Sequence, residues 1–208
     1  MPPAYTESPI DFRNFQHGRS AYHWQIPRGD AFTDKSNIYA YQKYRESLQI
    51  YPQRTTDLVT VRTGLEVGVP TTIIMSPTIY GVGSGLFNKL SIQVPTMMRS
   101  AIKSGQAIMV GEGREIWDYV HIADLARLYE LLVLKIVADE QIPTGESGIL
   151  FSAAGRYSWG ELSENVAKSL FTVGAIKTDV VRSVDLEEAA KQYKSPALLY
   201  TELGYSSK

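Results

Sequence analysis

Cysteine is absent from the 208 residues. Disulfides, thiolate metal ligands and a cysteine nucleophile are therefore excluded, and the composition does not fix a redox compartment. An excess of charge is also missing: the formal net charge is −1. That balance gives no electrostatic case for a nucleic acid partner or an anionic membrane. Long apolar runs are lacking. The longest, "LYELLVLKIVA", is interrupted by Glu130 and Lys135 and is too short to span a bilayer. The N-terminal "MPPAYTESPIDFRNF" has no apolar core of the kind a signal peptide carries. A cytoplasmic, soluble protein is the expectation. Histidine is scarce, at three residues against 13 tyrosines, so phenols are the commonest candidate acids. No G-x-x-G-x-x-G or G-x-G-x-x-G occurs. Gly81, Gly83 and Gly85 give only G-x-G-x-G, and Ser84 among them is not in a nucleophile elbow.

What is present fits a folded α/β chain. Apolar residues make up 44% and charged residues 21%, ordinary values for a globular domain. One domain over 1–208 is expected, with an irregular segment at 1–36 and a core with a C-terminal lobe at 37–208. Residues 1–36 are rich in Pro and Gly, with one short strand expected at "FRNFQ". Ser36 or Asn37 is placed to cap a helix running to about Ile50, with Ile38, Tyr41 and Leu48 on one face. Pro52 suits the first turn of a second helix that stops at Gly68. "PTTIIMSP" reads as a buried strand. "LSIQVPTMMRSAIKSG" reads as a helix that is kinked or starts late at Pro95. "AIMVGEG", "EIWDYVHI" and "SGILFSAAG" read as strands. "HIADLARLYELLVLKIV" is a helix with Leu125, Leu128, Leu132 and Ile136 on one face. Ser158 and Glu161 form a capping box before "WGELSENVAKSLFTVG". "VDLEEAAKQ" and "SPALLYTEL" read as short helices. Alternating strands and helices argue for parallel pairing.

The order of these pieces is similar to that of a known family. "GLEVGVPTTIIMSPTIYGVGSG" followed by "RSAIKSGQAIMVGEGREIWDYVHIADLARLYELL" resembles the extended or atypical short-chain dehydrogenase/reductases. These are the NAD(P)-dependent epimerase/dehydratase and NmrA-like proteins, fungal members above all. The resemblance covers residues 37 to about 172. It implies a reduced Rossmann-like parallel sheet flanked by helices, with a small C-terminal substrate lobe. The "PTIYGVG" turn resembles the one near nicotinamide and substrate, and "WDYVHIADLARLY" resembles the family's Arg-Asp-aromatic-Val-His segment. The phosphate-gripping turn has no counterpart, so the chain is expected to begin near the family's fifth strand and to use no cofactor. Such a sheet would leave an edge or apolar helix faces bare unless the N-terminal segment or a second copy covers them, which is compatible with a homodimer.

The family's catalytic pair is Tyr-x-x-x-Lys at a helix start. Tyr51 stands in the matching place, but Thr55 replaces the lysine and Arg54 is the nearest cation. Tyr51 with Arg54 is a candidate phenol acid with a cationic neighbour; packing at a helix junction is the plainer alternative. Tyr39 and Lys43 have the spacing but lie one helix too early. "HGRSAYHWQ" holds Ser20, His17 and His23, and His23 is a candidate proton shuttle or a surface residue. Trp117 stands where the resemblance implies a diphosphate-binding arginine, which suits an apolar or aromatic substrate better. Asp118 and His121 lie three apart on a strand and so face opposite ways. Loop anchoring suits His121, and amide capping suits Asp124. Tyr80, Ser84, Phe87, Trp117 and His121 are the candidate substrate-facing residues. Three readings follow. The chain is a cofactor-independent isomerase, lyase or cyclase, a pericyclase such as a Diels–Alderase among them, acting on an apolar small molecule of secondary metabolism. It is a fragment or short form of an NAD(P)-dependent reductase or epimerase. Or it is a non-catalytic binding module.

Overall fold

The computed structural model describes residues 35–193. In chain order the elements are α1 (Ile38–Leu48), α2 (Pro52–Val67), β1 (Ile73–Met75), β2 (Thr78–Tyr80), α3 (Gln93–Ser104), β3 (Ile108–Val110) and β4 (Ile116–His121). They continue with α4 (Ile122–Val137), a 3-10 turn (Gly145–Ser147), β5 (Ile149–Phe151), β6 (Gly155–Ser158), α5 (Trp159–Thr172), β7 (Arg182–Val184) and α6 (Leu186–Tyr193).

Parallel pairing dominates, as the alternation of elements requires. β1 pairs with β5, β2 with β4, and β3 with β7, all parallel. The α/β class with parallel strands flanked by helices is therefore what the chain adopts. One feature departs from the expectation: β6 joins β4 antiparallel, giving a three-stranded sheet in the order β2-β4-β6. The strand segments β2, β6 and β7 carry no long β-branched alternation, and sheet neighbours rather than propensity hold them extended.

The helix signals act where expected. The Asn37 side chain accepts the Ala40 N–H at 3.0 Å. Pro52 opens α2, and Gly68 closes it in the left-handed conformation at φ 69°. Pro95 sits in the first turn of α3, so the helix starts late rather than kinking. The Ser158–Glu161 capping box forms in full. "FRNFQ" and "SPALLYTEL" lie outside the described residues.

Two apolar clusters hold the elements together. The larger joins α3, β3, α5, β7 and α6 through Met97, Ile108, Trp159, Val166, Leu170 and Val184. This cluster lies where a C-terminal lobe is expected, and each fully buried side chain of Leu170's size contributes about 2 kcal/mol. The smaller joins α1, α2 and β5 through Ile38, Tyr39, Val61 and Ile149. Two amphipathic readings need correction. Leu48 does not share the buried face of Ile38 and Tyr41 but stands 60% exposed in the last turn of α1. On α4 only Leu125 is buried, whereas Ile136, three turns along the same stripe, is 58% exposed. Only the first turns of α4 meet β4. Likewise "PTTIIMSP" gives a strand, but β1 is half-buried throughout. Val59, Leu65 and Val67 on α2 and Leu131, Val133 and Leu134 on α4 are exposed as well.

A close approach locks the lobe to the sheet. Gly160 donates its N–H to the Gly113 carbonyl at 2.8 Å. A Cβ on Gly113, which has φ +62°, would fall 2.7 Å from Gly160 Cα. Gly113→Ala should therefore cost about 2 kcal/mol or more. Thermal unfolding should show Tm lower by about 5 °C; an unchanged Tm would remove this contact from the account of the fold.

Candidate functional site

Tyr51 and Arg54 meet at the junction of α1 and α2. Tyr51 is the N-cap residue of α2, in extended conformation and without a side-chain cap bond. Glu46, on the last turns of α1, serves this helix end instead. Its carboxylate accepts the Tyr51 N–H at 3.2 Å and the Thr55 hydroxyl in a very short hydrogen bond. Arg54 faces inward on the stripe Arg54, Asp57, Val61, Gly64. It is 7% exposed, and its guanidinium carbon stands 5.7 Å from the Tyr51 ring centroid. Its Nη1 donates to the Gln49 carbonyl at 3.0 Å and lies 3.5 Å from Glu46 Oε2. Burial and the nearby Arg45 push the Arg54 pKa down, against the pull of Glu46. Arg45 in turn donates Nη1 to the Tyr41 hydroxyl at 3.1 Å. Tyr39 and Lys43 form a different pair, the ammonium 5.4 Å from the centroid of a buried ring.

The second group lies on one face of β2-β4-β6. Trp117, Tyr119 and His121 alternate along β4. The register sets Tyr80 opposite His121, and Trp117 opposite Tyr157. Tyr80 meets the His121 ring edge-on at 5.0 Å and the Tyr119 ring at 5.7 Å. Tyr119 stacks on Tyr157, and Tyr157 and Trp117 both touch Trp159. The Thr78 and Tyr157 hydroxyls share a hydrogen bond of 2.8 Å. Part of the Trp117 indole therefore packs on the lobe core. Trp159 Nε1 is buried without an acceptor.

Other expected site residues stand apart. Ser84 and Phe87 lie on the loop after β2, closed by the Val82–Leu90 bridge and by Gly83 N–H donating to the Lys89 carbonyl at 2.7 Å. Phe87 is 84% exposed at its tip. His17, Ser20 and His23 lie outside the described residues. Asp118 and His121 do face apart: Asp118 pairs with Arg156 at 2.7 Å, while His121 Nδ1 accepts the Ala123 N–H at 3.3 Å. The cap of α4 is thus His121, and Asp124 stands exposed in its first turn, where a carboxylate is favoured by the helix dipole. The Glu46, Tyr41 and Arg45 contributions carry no sequence signal. The alternation of Trp117, Tyr119 and His121 does, at period two.

The glycine turn has a packing reason. A Cβ on Gly81, at φ +100°, would fall 2.3 Å from His121 Nε2. The space that a phosphate cradle would leave open is filled by the imidazole, and the chain runs on into the Val82–Leu90 bridge rather than a helix N-terminus. This turn thus does not fit a dinucleotide pyrophosphate.

Residues 30–144 match the family model described as NAD dependent epimerase/dehydratase family. A curated protein from Acremonium sp, named Oxidase ucsJ, is 28% identical over 130 residues, covering 59% of this chain and 37% of that protein. Among solved structures, DesIV, a dTDP-glucose 4,6-dehydratase from Streptomyces venezuelae with NAD bound, is 20% identical. The match covers 62% of this chain and 35% of that one, with a TM-score of 0.44. A UDP-N-acetylglucosamine 4-epimerase from Methanobrevibacter ruminantium is 12% identical over 81% of this chain and 48% of that one, with a TM-score of 0.46. The chain thus spans about a third to a half of the length of these relatives.

Asp57 supplies a test of how closely α1 and α2 pack here. Burial raises its pKa, opposed only by a hydrogen bond from Gln53. A folded-state pKa above the unfolded value means that the ionised form costs stability above the folded pKa, and that the cost vanishes below the unfolded one. Asp57→Asn should raise the urea midpoint near pH 7, with the gain shrinking towards about pH 4. A gain independent of pH would mean that the buried charge is not its source.

Proposed function

Because the chain belongs to the NAD-dependent epimerase/dehydratase family, we propose that it carries out proton transfer on a small molecule with a large apolar part, with Tyr51 as the acid–base group. One observation carries this reading: the Arg54 guanidinium, buried at the start of α2, lies against the Tyr51 ring and is held there by Gln49 and Glu46. A fixed cation favours the phenolate over the phenol. The phenolate takes a proton from a substrate carbon, becomes the phenol, and returns the proton to another carbon or to a departing hydroxyl. The net result is isomerisation or loss of water, with no change in oxidation state. Holding the substrate in one geometry supplies much of the acceleration. A cyclisation without proton transfer, a pericyclic one included, would draw on the same donors. The aromatic face of Tyr80, Tyr119 and Trp117 suits an apolar substrate of secondary metabolism.

A second reading is favoured by the family's name and by that of the Acremonium protein: NAD(P)-dependent redox chemistry, with the dinucleotide gripped by residues beyond those described. Calorimetric titration of the 208-residue chain with NADPH and NADH separates the two. The expected outcome is no heat of binding at micromolar concentrations; micromolar binding would bring the redox reading forward.

The phenolate is open to direct measurement. In a spectrophotometric pH titration, one tyrosine should ionise below about pH 10. That step should vanish in Tyr51→Phe and move upward in Arg54→Gln. Tyr193, pushed up to about 12 by burial, lies at the far end of the curve. If the low step persists in Tyr51→Phe, the acid–base role is not Tyr51's.

A further inference from the structure

We propose that the niche between α1 and the start of α2 binds the carboxylate of a small molecule, held by Arg54 and Arg45. The proposal rests on the reading of Tyr51 as the reacting group beside it, and it specifies what kind of substrate that group meets. The first argument is unused hydrogen-bonding capacity. A guanidinium presents five N–H donors. The Arg54 side chain is only 9% exposed, yet its contacts to Gln49 and Glu46 both run through Nη1. Among the described residues, its Nε and Nη2 have no acceptor. Neither group is among the fully buried unpartnered atoms, so both can take an acceptor arriving from solvent.

The second argument is charge. Arg45 is close enough for its charge to act on Arg54, and its own contact to Tyr41 uses only Nη1. Among the described residues, Glu46 is the carboxylate that acts on Arg54. It is already engaged by the Tyr51 N–H, the Thr55 hydroxyl and Arg54. Two guanidinium groups against one carboxylate leave one positive charge, which matches a monoanion better than a phosphate. The third argument is shape. A planar fork takes a planar carboxylate with two parallel hydrogen bonds. The rings of Tyr41 and Tyr51, 5.9 and 5.7 Å from the two guanidinium carbons, give the niche aromatic walls. A carboxylate on an aromatic or otherwise apolar body fits both features. Arg45 and Tyr51 are half-buried, so the niche has a way in from solvent.

The test uses the full chain and three probes in ligand-observed NMR titrations: benzoate, the uncharged benzamide of the same shape, and inorganic phosphate. Benzoate should bind saturably, with benzamide and phosphate weaker by about tenfold or more. Arg54→Gln should weaken benzoate by about tenfold, and Arg45→Gln by a few-fold. Equal binding of benzoate and benzamide would overturn the proposal, as would phosphate binding tighter than benzoate. So would unchanged benzoate affinity in both variants, each checked for folding by circular dichroism. If Arg54→Gln does not fold, Arg45→Gln decides. Tyr51→Phe separates this proposal from the acid–base reading. Benzoate binding that survives in Tyr51→Phe, together with a low ionisation step that is missing from the unsubstituted chain or persists in Tyr51→Phe, would sink the acid–base role and leave the carboxylate site standing.

Discussion

The carboxylate of Glu46 ties the end of α1 to the beginning of α2. A helix that opens on Pro52 has no side-chain cap of its own, because Tyr51 offers no short acceptor that could fold back on the first turn. Glu46, on the preceding helix, instead holds the Tyr51 N–H and the Thr55 hydroxyl and stands 3.5 Å from Arg54 Nη1. With Arg54 in that place, the Tyr51 ring lies over a guanidinium and the Gln49 carbonyl is satisfied. A single carboxylate thus sets the helix start, the orientation of the phenol and the local charge. Like-charged Arg45 stands nearby, so the balance is a tense one, and a bound anion would relieve it.

The aromatic group on β2-β4-β6 obeys a different constraint. Parallel pairing of β2 with β4 fixes Tyr80 opposite His121, and antiparallel β6 brings Tyr157 opposite Trp117. Edge-to-face and stacked contacts follow from that register, and they extend to Trp159 in the core of the C-terminal lobe. The imidazole does two jobs there: it fills the space a Gly81 side chain would need, and it caps α4. A turn that looks like a phosphate grip is in this structure a packing device. Its glycine is required by a neighbouring ring.

The apolar faces of α2 and α4 have a physical reading as well. The stripe on α4 begins with buried Leu125 and runs on to exposed Ile136. It is continuous with a face that already packs on the sheet, and the described elements extend under only its first turns.

Much of the fold was legible before any coordinates. Caps at Asn37, Gly68 and Ser158 act through atoms close in sequence, so Asn, Gly and the Ser-x-x-Glu spacing announce them. The β-branched runs and the alternation along β4 likewise determine extended backbone and the face each side chain takes. The family resemblance, carried by several ordered motifs, also stood in the sequence alone. What tertiary structure decided is the set of partners. Neither spacing nor propensity indicates that Glu46 would serve the start of α2, that Arg54 would be buried, or that β6 would lie antiparallel on β4. Nor do they tell how far along α4 the sheet would reach: the periodicity of Leu125, Leu128, Leu132 and Ile136 marks a face but not what covers it. Those outcomes depend on atoms brought together from distant parts of the chain, where burial and charge balance act on the whole arrangement rather than on any one segment.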